Sequence, residues 1–443
     1  MAITKGWFFP ALFNLAETSR LVRIAERYRE LGKEATLSKF QVVFDFFTNE
    51  ARAFYMITRQ VIPELIESAK EYPVVTVFGP RQSGKTTLAR TTFPDKPYFS
   101  LEDPDIRMAA ETDPRGFLQE IPQGAILDEI QRLPMLLSYL QGIVDEKQIK
   151  GMFILTGSHQ PDVHQAISQT LAGRTALLTL LPFSLSELRN YKQDWEAYEI
   201  IAHGSFPRLH QEGLRPDRFY NGYVQTYVER DLRTLINVKD LDQFQQFLTL
   251  LAGRVGQVLN YSSLANDVGV TGTSIKNWIS VLKASFVVFE LQPFFENIKK
   301  RVIKSPKLYF TDTGLVSHLL GIETPDQARR DPLRGSLYEN FIIQEILKSE
   351  HNQGKRPQLY FYRDTHGNEV DLVIKKQRKL IPVEIKSAAT FSRHFLKEIE
   401  RFKTITQDRC YEGYVLYDGE DKFNLQQVSI QNILKHGLPE MRI

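Results

Sequence analysis

The chain has a single cysteine, Cys410, among its 443 residues. That excludes an intrachain disulfide and a cysteine-built zinc site, and a reducing, cytoplasmic setting is expected. The nine histidines are scattered without the spacing of metal ligands, so no histidine-built metal site is expected. No apolar run approaches the roughly 18 residues that a membrane span requires, so no membrane partner is expected. Net charge is scarce as well, at +3, so bulk charge gives almost no pull toward nucleic acid and any basic surface must be local. Internal repeats and low-complexity linkers are missing too. What remains is an ordinary globular composition, long enough for about three domains.

Against that background one stretch organises the rest: Tyr72-Pro-Val-Val-Thr-Val-Phe-Gly-Pro-Arg-Gln-Ser-Gly-Lys-Thr-Thr-Leu88. Val74 to Phe78 is a short apolar, β-branched run suited to a buried strand. Gly79 and Gly84 then bracket a tight loop, and Lys85, Thr86 and Thr87 open a helix. This is the pattern of a phosphate-binding loop. Its two glycines let the backbone close on an anion, and the helix N-terminus adds partial positive charge. Gly79, Pro80, Arg81, Gln82, Ser83, Gly84, Lys85, Thr86 and Thr87 are therefore the candidate ATP-binding residues. Lys85 is expected to reach the β- and γ-phosphates, and Thr86 to ligate Mg²⁺.

Downstream, Tyr98 to Leu101 reads as a second strand, followed by a turn and helix start at Glu102 to Asp105. Gly124 to Glu129 is an apolar strand ending in two carboxylates, a position that suits a Walker B element. Asp128 can hold the Mg²⁺ shell and Glu129 can polarise the attacking water. Met152 to Ser158 is a third strand whose end carries Thr156 and Ser158. In a parallel sheet such ends collect on one edge, near the γ-phosphate.

Gly79 to Thr86, Ser100 to Asp105, Leu127-Asp-Glu-Ile-Gln131, Leu155-Thr-Gly-Ser158 and Leu181-Pro-Phe-Ser-Leu-Ser-Glu-Leu188 together resemble a prokaryotic AAA+-type ATPase family. Its members carry a C-terminal domain of uncharacterised function. The resemblance runs from about Met56 to the C-terminus. It implies that Thr156 and Ser158 occupy the sensor-1 region and that Arg174 stands where an arginine finger reaches a neighbour's γ-phosphate, which implies a homo-oligomer. A local ion pair is the alternative for Arg174. Arg208 is a weaker sensor-2 candidate. Before Met56 the sequence has a different character: either an accessory helical hairpin, or a stretch upstream of a natural start at Met56.

Tyr223 to Leu235 reads as a lid or connector helix carrying Glu229, Arg230, Asp231 and Arg233. Tyr261 to Leu282 has the grammar of a helix-turn-helix, with Ser262 or Ser263 capping the first helix, Gly269 ending it, and Thr271 or Thr273 capping the second. Phe286 to Gln292, a lysine-rich turn at Asn297 to Arg301, and Lys307 to Thr311 supply a wing. Lys276, Asn277 and Lys283 are the candidate DNA contacts, although winged helices also serve protein contacts.

In the last third, Leu337 to Leu347 is an amphipathic helix bearing Glu339. Glu369 to Ile374 and Leu380 to Lys386 form a hairpin around a basic turn, with Glu384 and Lys386 on one face. Glu339, Asp371, Glu384 and Lys386 resemble the motif positions of a PD-(D/E)XK nuclease core. There, clustered carboxylates bind Mg²⁺ and the lysine orients water. Solvated strand charges, or a nuclease fold kept for binding, are the alternatives. Phe391 to Phe402 reads as a following helix offering Arg393, His394 and Lys397 to a backbone phosphate.

The expected architecture is α/β: a P-loop NTPase parallel sheet over 56–212, a central helical winged-helix domain over 213–330, and a C-terminal α/β nuclease-like domain over 331–443, with 1–55 as an extension. The expected function is a Mg²⁺-dependent ATPase of AAA+ type coupled to DNA. A nucleotide-switched protein-binding scaffold with an inactive nuclease-like domain is the alternative.

Overall fold

A computed structural model of the chain describes residues 57–158, 167, 169–226, 241–295, 304–410 and 412–439. The segment before Met56, most of the connector helix with Glu229, Arg230, Asp231 and Arg233, and the lysine-rich turn Asn297 to Arg301 lie outside the described residues.

The first half of the fold is a five-stranded parallel sheet. Its strands are β1 (Val74–Phe78), β2 (Tyr98–Ser100), β3 (Ile126–Asp128), β4 (Phe153–Gly157) and β5 (Thr175–Thr179), in the order β2-β3-β4-β1-β5. Every residue of β1, β3 and β4 is buried. That matches their unbroken apolar runs, since a parallel strand covered on both faces has no side to leave polar. Because β4 lies between β1 and β3, Thr156 sits beside Val77 of the loop-bearing strand on one side and next to the end of β3 on the other.

A second, eight-stranded mixed sheet follows. Its strands are β6 (Val288–Pro293), β7 (Lys307–Phe310), β8 (Leu359–Arg363), β9 (Glu369–Lys376), β10 (Lys379–Lys386), β11 (Gly413–Tyr417), β12 (Phe423–Leu425) and β13 (Val428–Gln431). The order is β12-β13-β11-β10-β9-β8-β6-β7. β9 and β10 form the antiparallel hairpin read from the sequence. β6 pairs antiparallel with β7 and parallel with β8 at Gln292 and Pro293, so the sheet runs across the stretch near 330 where turn formers cluster.

The helices Tyr261–Val268 and Gly272–Ala284 have the expected junction, with Gly269 at φ 77 closing the first and Thr271 accepting from the Ser274 amide to open the second. The first cap differs from expectation. Asn260, not Ser262 or Ser263, is extended and accepts from the Ser263 amide at 3.0 Å, so both serines lie inside the first turn. Asparagine serves as well as serine there, because its side-chain oxygen has the same reach to the third amide. The helix expected from Phe391 starts later too: a short 3-10 turn, Arg393–Leu396, precedes the helix Lys397–Thr406.

The helix Arg334–Asn352 packs against β5 of the first sheet and against β7 and β10 of the second. Leu337, Phe341, Ile342, Ile343 and Ile346 are buried, so it is apolar on more than one face, as an element covered on several sides must be. It also carries two buried charges. Lys348 donates to Glu345 Oε1 at 2.9 Å, to the Phe183 carbonyl at 2.9 Å and to Ser205 Oγ at 3.0 Å. Glu345 Oε2 accepts from the Leu185 amide at 2.6 Å. Both side chains are 1 % exposed. Replacing Lys348 by methionine leaves Glu345 buried and uncompensated, which costs about 3–5 kcal/mol of unfolding free energy. Urea denaturation checks this, and the double variant Glu345→Gln/Lys348→Met is expected to recover much of the loss.

Candidate functional site

The loop after β1 is shaped by two glycines for different reasons. A Cβ on Gly79 would lie 2.1 Å from the Leu180 carbonyl oxygen, so the chain passes too close to its neighbour for any side chain. Gly84 has φ 91, a left-handed conformation that costs glycine nothing, and it caps the helix Lys85–Thr92. Gln82 is also left-handed, at φ 63. Lys85 donates its ammonium to the Gly79 and Pro80 carbonyls at 3.1 and 2.9 Å. Burial lowers its pKa, while the charges of Glu129 and Asp128 act to raise it. Ser83 Oγ is buried in the loop without a hydrogen-bond partner, an orphaned donor that fits an anionic oxygen.

Asp128, at the end of β3, gathers hydroxyls from three elements. Thr86 Oγ1 donates to both carboxylate oxygens at 3.0 Å, Tyr98 OH donates to Oδ2 at 2.8 Å, and Thr156 Oγ1 donates to Oδ1. Tyr98 is pushed up to about 12 by burial and by the neighbouring carboxylate. Threonine hydroxyl and aspartate side by side at a helix start are the donor set of a Mg²⁺ site at a phosphate loop, so these residues fit that ion. Glu129 follows at φ 56, a left-handed backbone conformation, and opens a short 3-10 turn. Its Oε2 accepts from Gln131 Nε2 and lies 3.4 Å from Ser158 Oγ. Thus Lys85, Thr86, Asp128, Glu129, Thr156 and Ser158 stand at one sheet edge, while Thr87 is exposed and Arg81 half-buried.

Arg174 lies at the start of β5, beside Val74 at the opposite end of the sheet from the loop. It makes a two-pronged ion pair with Asp145 at 2.5 and 2.8 Å. Arg208 likewise holds Glu212, at 3.0 and 2.9 Å on an exposed helix face.

Sequence reasoning passed over the residues that brace the loop. Arg59, buried, donates to the Ser83 carbonyl at 2.8 Å, the Leu181 carbonyl at 2.6 Å and Glu187 Oε1 at 3.0 Å. Glu187 closes a capping box with Ser184, and the Ser184-Leu-Ser-Glu187 spacing was the available signal for it. Tyr98 and Gln131 were also missed.

The second cluster lies on the eight-stranded sheet. Lys386 donates to Glu384 Oε1 at 2.5 Å and to Asp371 Oδ2 at 3.2 Å, and Asp371 also accepts from the Ile385 amide at 2.8 Å. Glu339 comes in from the helix Arg334–Asn352. Its Oε1 accepts from Lys307 at 2.9 Å and from Tyr309 OH at 2.5 Å. Lys307 also meets Glu369 at 2.5 Å. Lys307, Tyr309 and Glu369 were not singled out from the sequence, although alternation along β7 and β9 sets Lys307 with Tyr309 and Glu369 with Asp371 on shared faces. Burial, opposed by Lys307, raises the pKa of Glu339. Burial and the Asp371 charge push Glu384 up to about 8. Burial alone would lower Lys307 and Lys386, but the surrounding carboxylates outweigh it and hold both ammoniums above their ordinary value. Glu384 Oε2 is buried without a hydrogen-bond partner. An orphaned carboxylate oxygen among carboxylates fits a divalent cation, but among the described residues no group of three or more His, Cys, Asp or Glu is arranged to hold one.

Of the DNA candidates, Lys276 and Asn277 are exposed, Lys276 lying over the Tyr261 ring at 5.5 Å, whereas Lys283 is paired with Glu290 at 2.6 Å. Arg393, His394 and Lys397 are exposed. Among the described residues no helix is long and apolar enough to cross a membrane.

Comparison with known proteins divides the chain into three matched segments. Residues 71–189 match an AAA domain model. Residues 194–326 and 334–435 each match a domain of unknown function. An uncharacterized protein of Mycobacterium tuberculosis is 29% identical over 381 residues, covering 84% of this chain and 82% of the relative. An uncharacterized protein of Methanocaldococcus jannaschii is 23% identical, covering 86% and 90%. Among solved structures, a Walker-type ATPase of Pyrococcus abyssi is 16% identical with a TM-score of 0.38, covering 60% of this chain and 96% of that one. The AAA match supports an AAA-type P-loop ATPase that binds nucleotide.

Two expected outcomes follow from this geometry. Arg59→Ala removes the brace and leaves Glu187 buried and unpaired, so stability falls by about 3–5 kcal/mol and nucleotide affinity falls with it. Denaturation and binding of a fluorescent ATP analogue measure the two effects. Glu384 has its folded pKa raised above the unfolded value, so the folded state holds the extra proton and stability is lost as pH rises from the ordinary glutamate range through about 8. Glu384→Gln is expected to be close to wild type in stability near the low end of that window. Its advantage should grow toward pH 8 and level off above, as read by Tm against pH.

Proposed function

We propose that this protein is a Mg²⁺-dependent ATP hydrolase of AAA+ type whose ATP state is coupled to DNA binding or processing in the cytoplasm. The observation that carries the reading is the convergence of Thr86, Tyr98 and Thr156 on Asp128, with Glu129 next in the chain, at the edge that also bears the phosphate loop. In this reading Lys85 leaves the loop carbonyls to bind the β- and γ-phosphates. Thr86 and Asp128 hold Mg²⁺, which when bound neutralises charge on the phosphate oxygens. Glu129 takes the proton of the attacking water, and Ser158 and Gln131 orient its carboxylate. Arg174 serves a neighbouring copy in a homo-oligomer by exchanging Asp145 for that copy's γ-phosphate.

The DNA part of the proposal rests on Lys276 and Asn277, exposed on the second helix of a helix-turn-helix followed by the β6–β7 wing of a winged helix. It rests also on Glu339, Asp371, Glu384 and Lys386 at the motif positions of a nuclease-like core. One observation favours a second reading, a nucleotide-switched scaffold: the carboxylates of that core are already paired with lysines.

ATP hydrolysis measured with no DNA and with single-stranded, duplex and branched DNA separates the two. Glu129→Gln is expected to lower kcat by about 100-fold or more while leaving ATP bound. Stimulation by one DNA form, lost in that variant, is the expected result. Tight ATP binding without stimulation by any form would move the assignment to the scaffold.

A further inference from the structure

The nuclease-like reading accounts for Glu339, Asp371, Glu384 and Lys386, but not for Lys307. This lysine comes from β7, the strand that closes the hairpin after the helix-turn-helix, and its side chain is 4 % exposed. It meets Glu339 at 2.9 Å and Glu369 at 2.5 Å, and Tyr309, two residues on along the same strand face, donates to the same Glu339 oxygen. Burying an ammonium is costly, and side chains that long rarely go inside unless fixed charge compensates them. Here the charge comes from two different elements, the helix Arg334–Asn352 and β9. The cluster is therefore built around a resident cation on its Glu339 side, whereas on its other side Glu384 Oε2 is buried without a partner.

We infer that Lys307 is a built-in counter-cation that occupies the Glu339 side of the carboxylate cluster and keeps divalent-cation affinity low. The inference rests on the reading of this cluster as a nuclease-like core, whose carboxylates would take a divalent cation if not already paired. A divalent ion and a buried ammonium compete for the same carboxylate charge: with Lys307 on Glu339 and Glu369, and Arg363 on Glu369 at 3.2 Å, an incoming ion finds both carboxylates already paired and meets the repulsion of nearby positive charge. Metal loading is thus tied to the position of β7, and so to the hairpin and helices that precede it. The same lysine keeps the carboxylates from repelling one another when no metal is bound.

The test is Mn²⁺ binding to the full chain without nucleotide, followed by isothermal titration and by electron paramagnetic resonance of the free ion. Lys307→Gln is expected to tighten binding by about tenfold or more, the range typical of changes in groups surrounding metal ligands. Adding Glu384→Gln is expected to abolish that gain, which assigns it to this cluster and not to the phosphate loop. Lys307→Arg, which keeps the charge, is expected to bind as wild type does. Unchanged or weaker Mn²⁺ binding by Lys307→Gln would overturn the inference, as would a gain that survives Glu384→Gln. Thermal unfolding covers a loosely folded Lys307→Gln: Mn²⁺ should then raise its Tm more than it raises that of wild type, and an equal or smaller rise overturns the proposal. DNA cleavage, assayed separately, keeps the two readings apart. Tighter Mn²⁺ binding with no cleavage sinks the nuclease and spares Lys307; cleavage by wild type with unchanged affinity in Lys307→Gln does the reverse.

Discussion

Buried charges hold the segment Leu181–Leu188 from both sides, between the phosphate loop and the long helix Arg334–Asn352 that packs on strands of both sheets. Arg59 takes the Leu181 carbonyl and Glu187 on the side of the phosphate loop. Lys348 and Glu345 take the Phe183 carbonyl and the Leu185 amide on the side of the long helix. A segment leaving a strand has backbone groups that no sheet satisfies, and burying them demands partners. Here the partners are ionised side chains, whose hydrogen bonds are short and strong but whose own burial is tolerable only while every member is paired. The arrangement fixes the geometry of the phosphate loop, because Arg59 also holds the Ser83 carbonyl.

The parts of this fold that were legible in the sequence are those where local pattern and tertiary role coincide. Val74 to Phe78 reads as a buried strand because both its faces are covered, and Gly79 and Gly84 read as a loop because close approach and a left-handed φ leave no other residue type. Asp128 and Glu129 were legible for the same reason: an apolar strand that stops at two carboxylates has put them at a sheet edge. The alternation of Glu384 and Lys386 likewise put them on one face, where they pair.

What stayed hidden depends on residues far apart in the chain. Nothing near Arg59 says that it will reach Ser83, Leu181 and Glu187, and nothing near Lys307 says that it will lie between Glu339 and Glu369. Tyr98 looks like one more strand aromatic until strand order sets β2 beside β3. The cap of the helix Tyr261–Val268 was misplaced because asparagine and serine are equivalent as caps, so local chemistry alone could not choose among Asn260, Ser262 and Ser263. The continuity of the second sheet was also invisible, since the parallel pairing of β6 with β8 joins Gln292 to Tyr360 across a long intervening stretch.

The helix Arg334–Asn352 carries both Glu339 of the second cluster and Glu345, which holds the Leu185 amide. Glu339 and Glu345 are six residues apart on it, about 9 Å along the axis, so one rigid rod carries both a carboxylate of the second cluster and a pin on Leu185. Interiors packed at crystal-like density do not deform smoothly, so a displacement of Leu181–Leu188 that breaks neither pin must carry this helix with it. Glu339 would then move against Lys307 and Tyr309, which are fixed to a different element, β7. In the proposed function, a nucleotide bound at Gly79 to Thr86 would act on the second cluster only to the extent that it favours one position of this helix over another, because a ligand shifts an equilibrium by no more than its differential affinity for the two states. The contacts of Arg59 with both the loop and Leu181 are where that difference would arise.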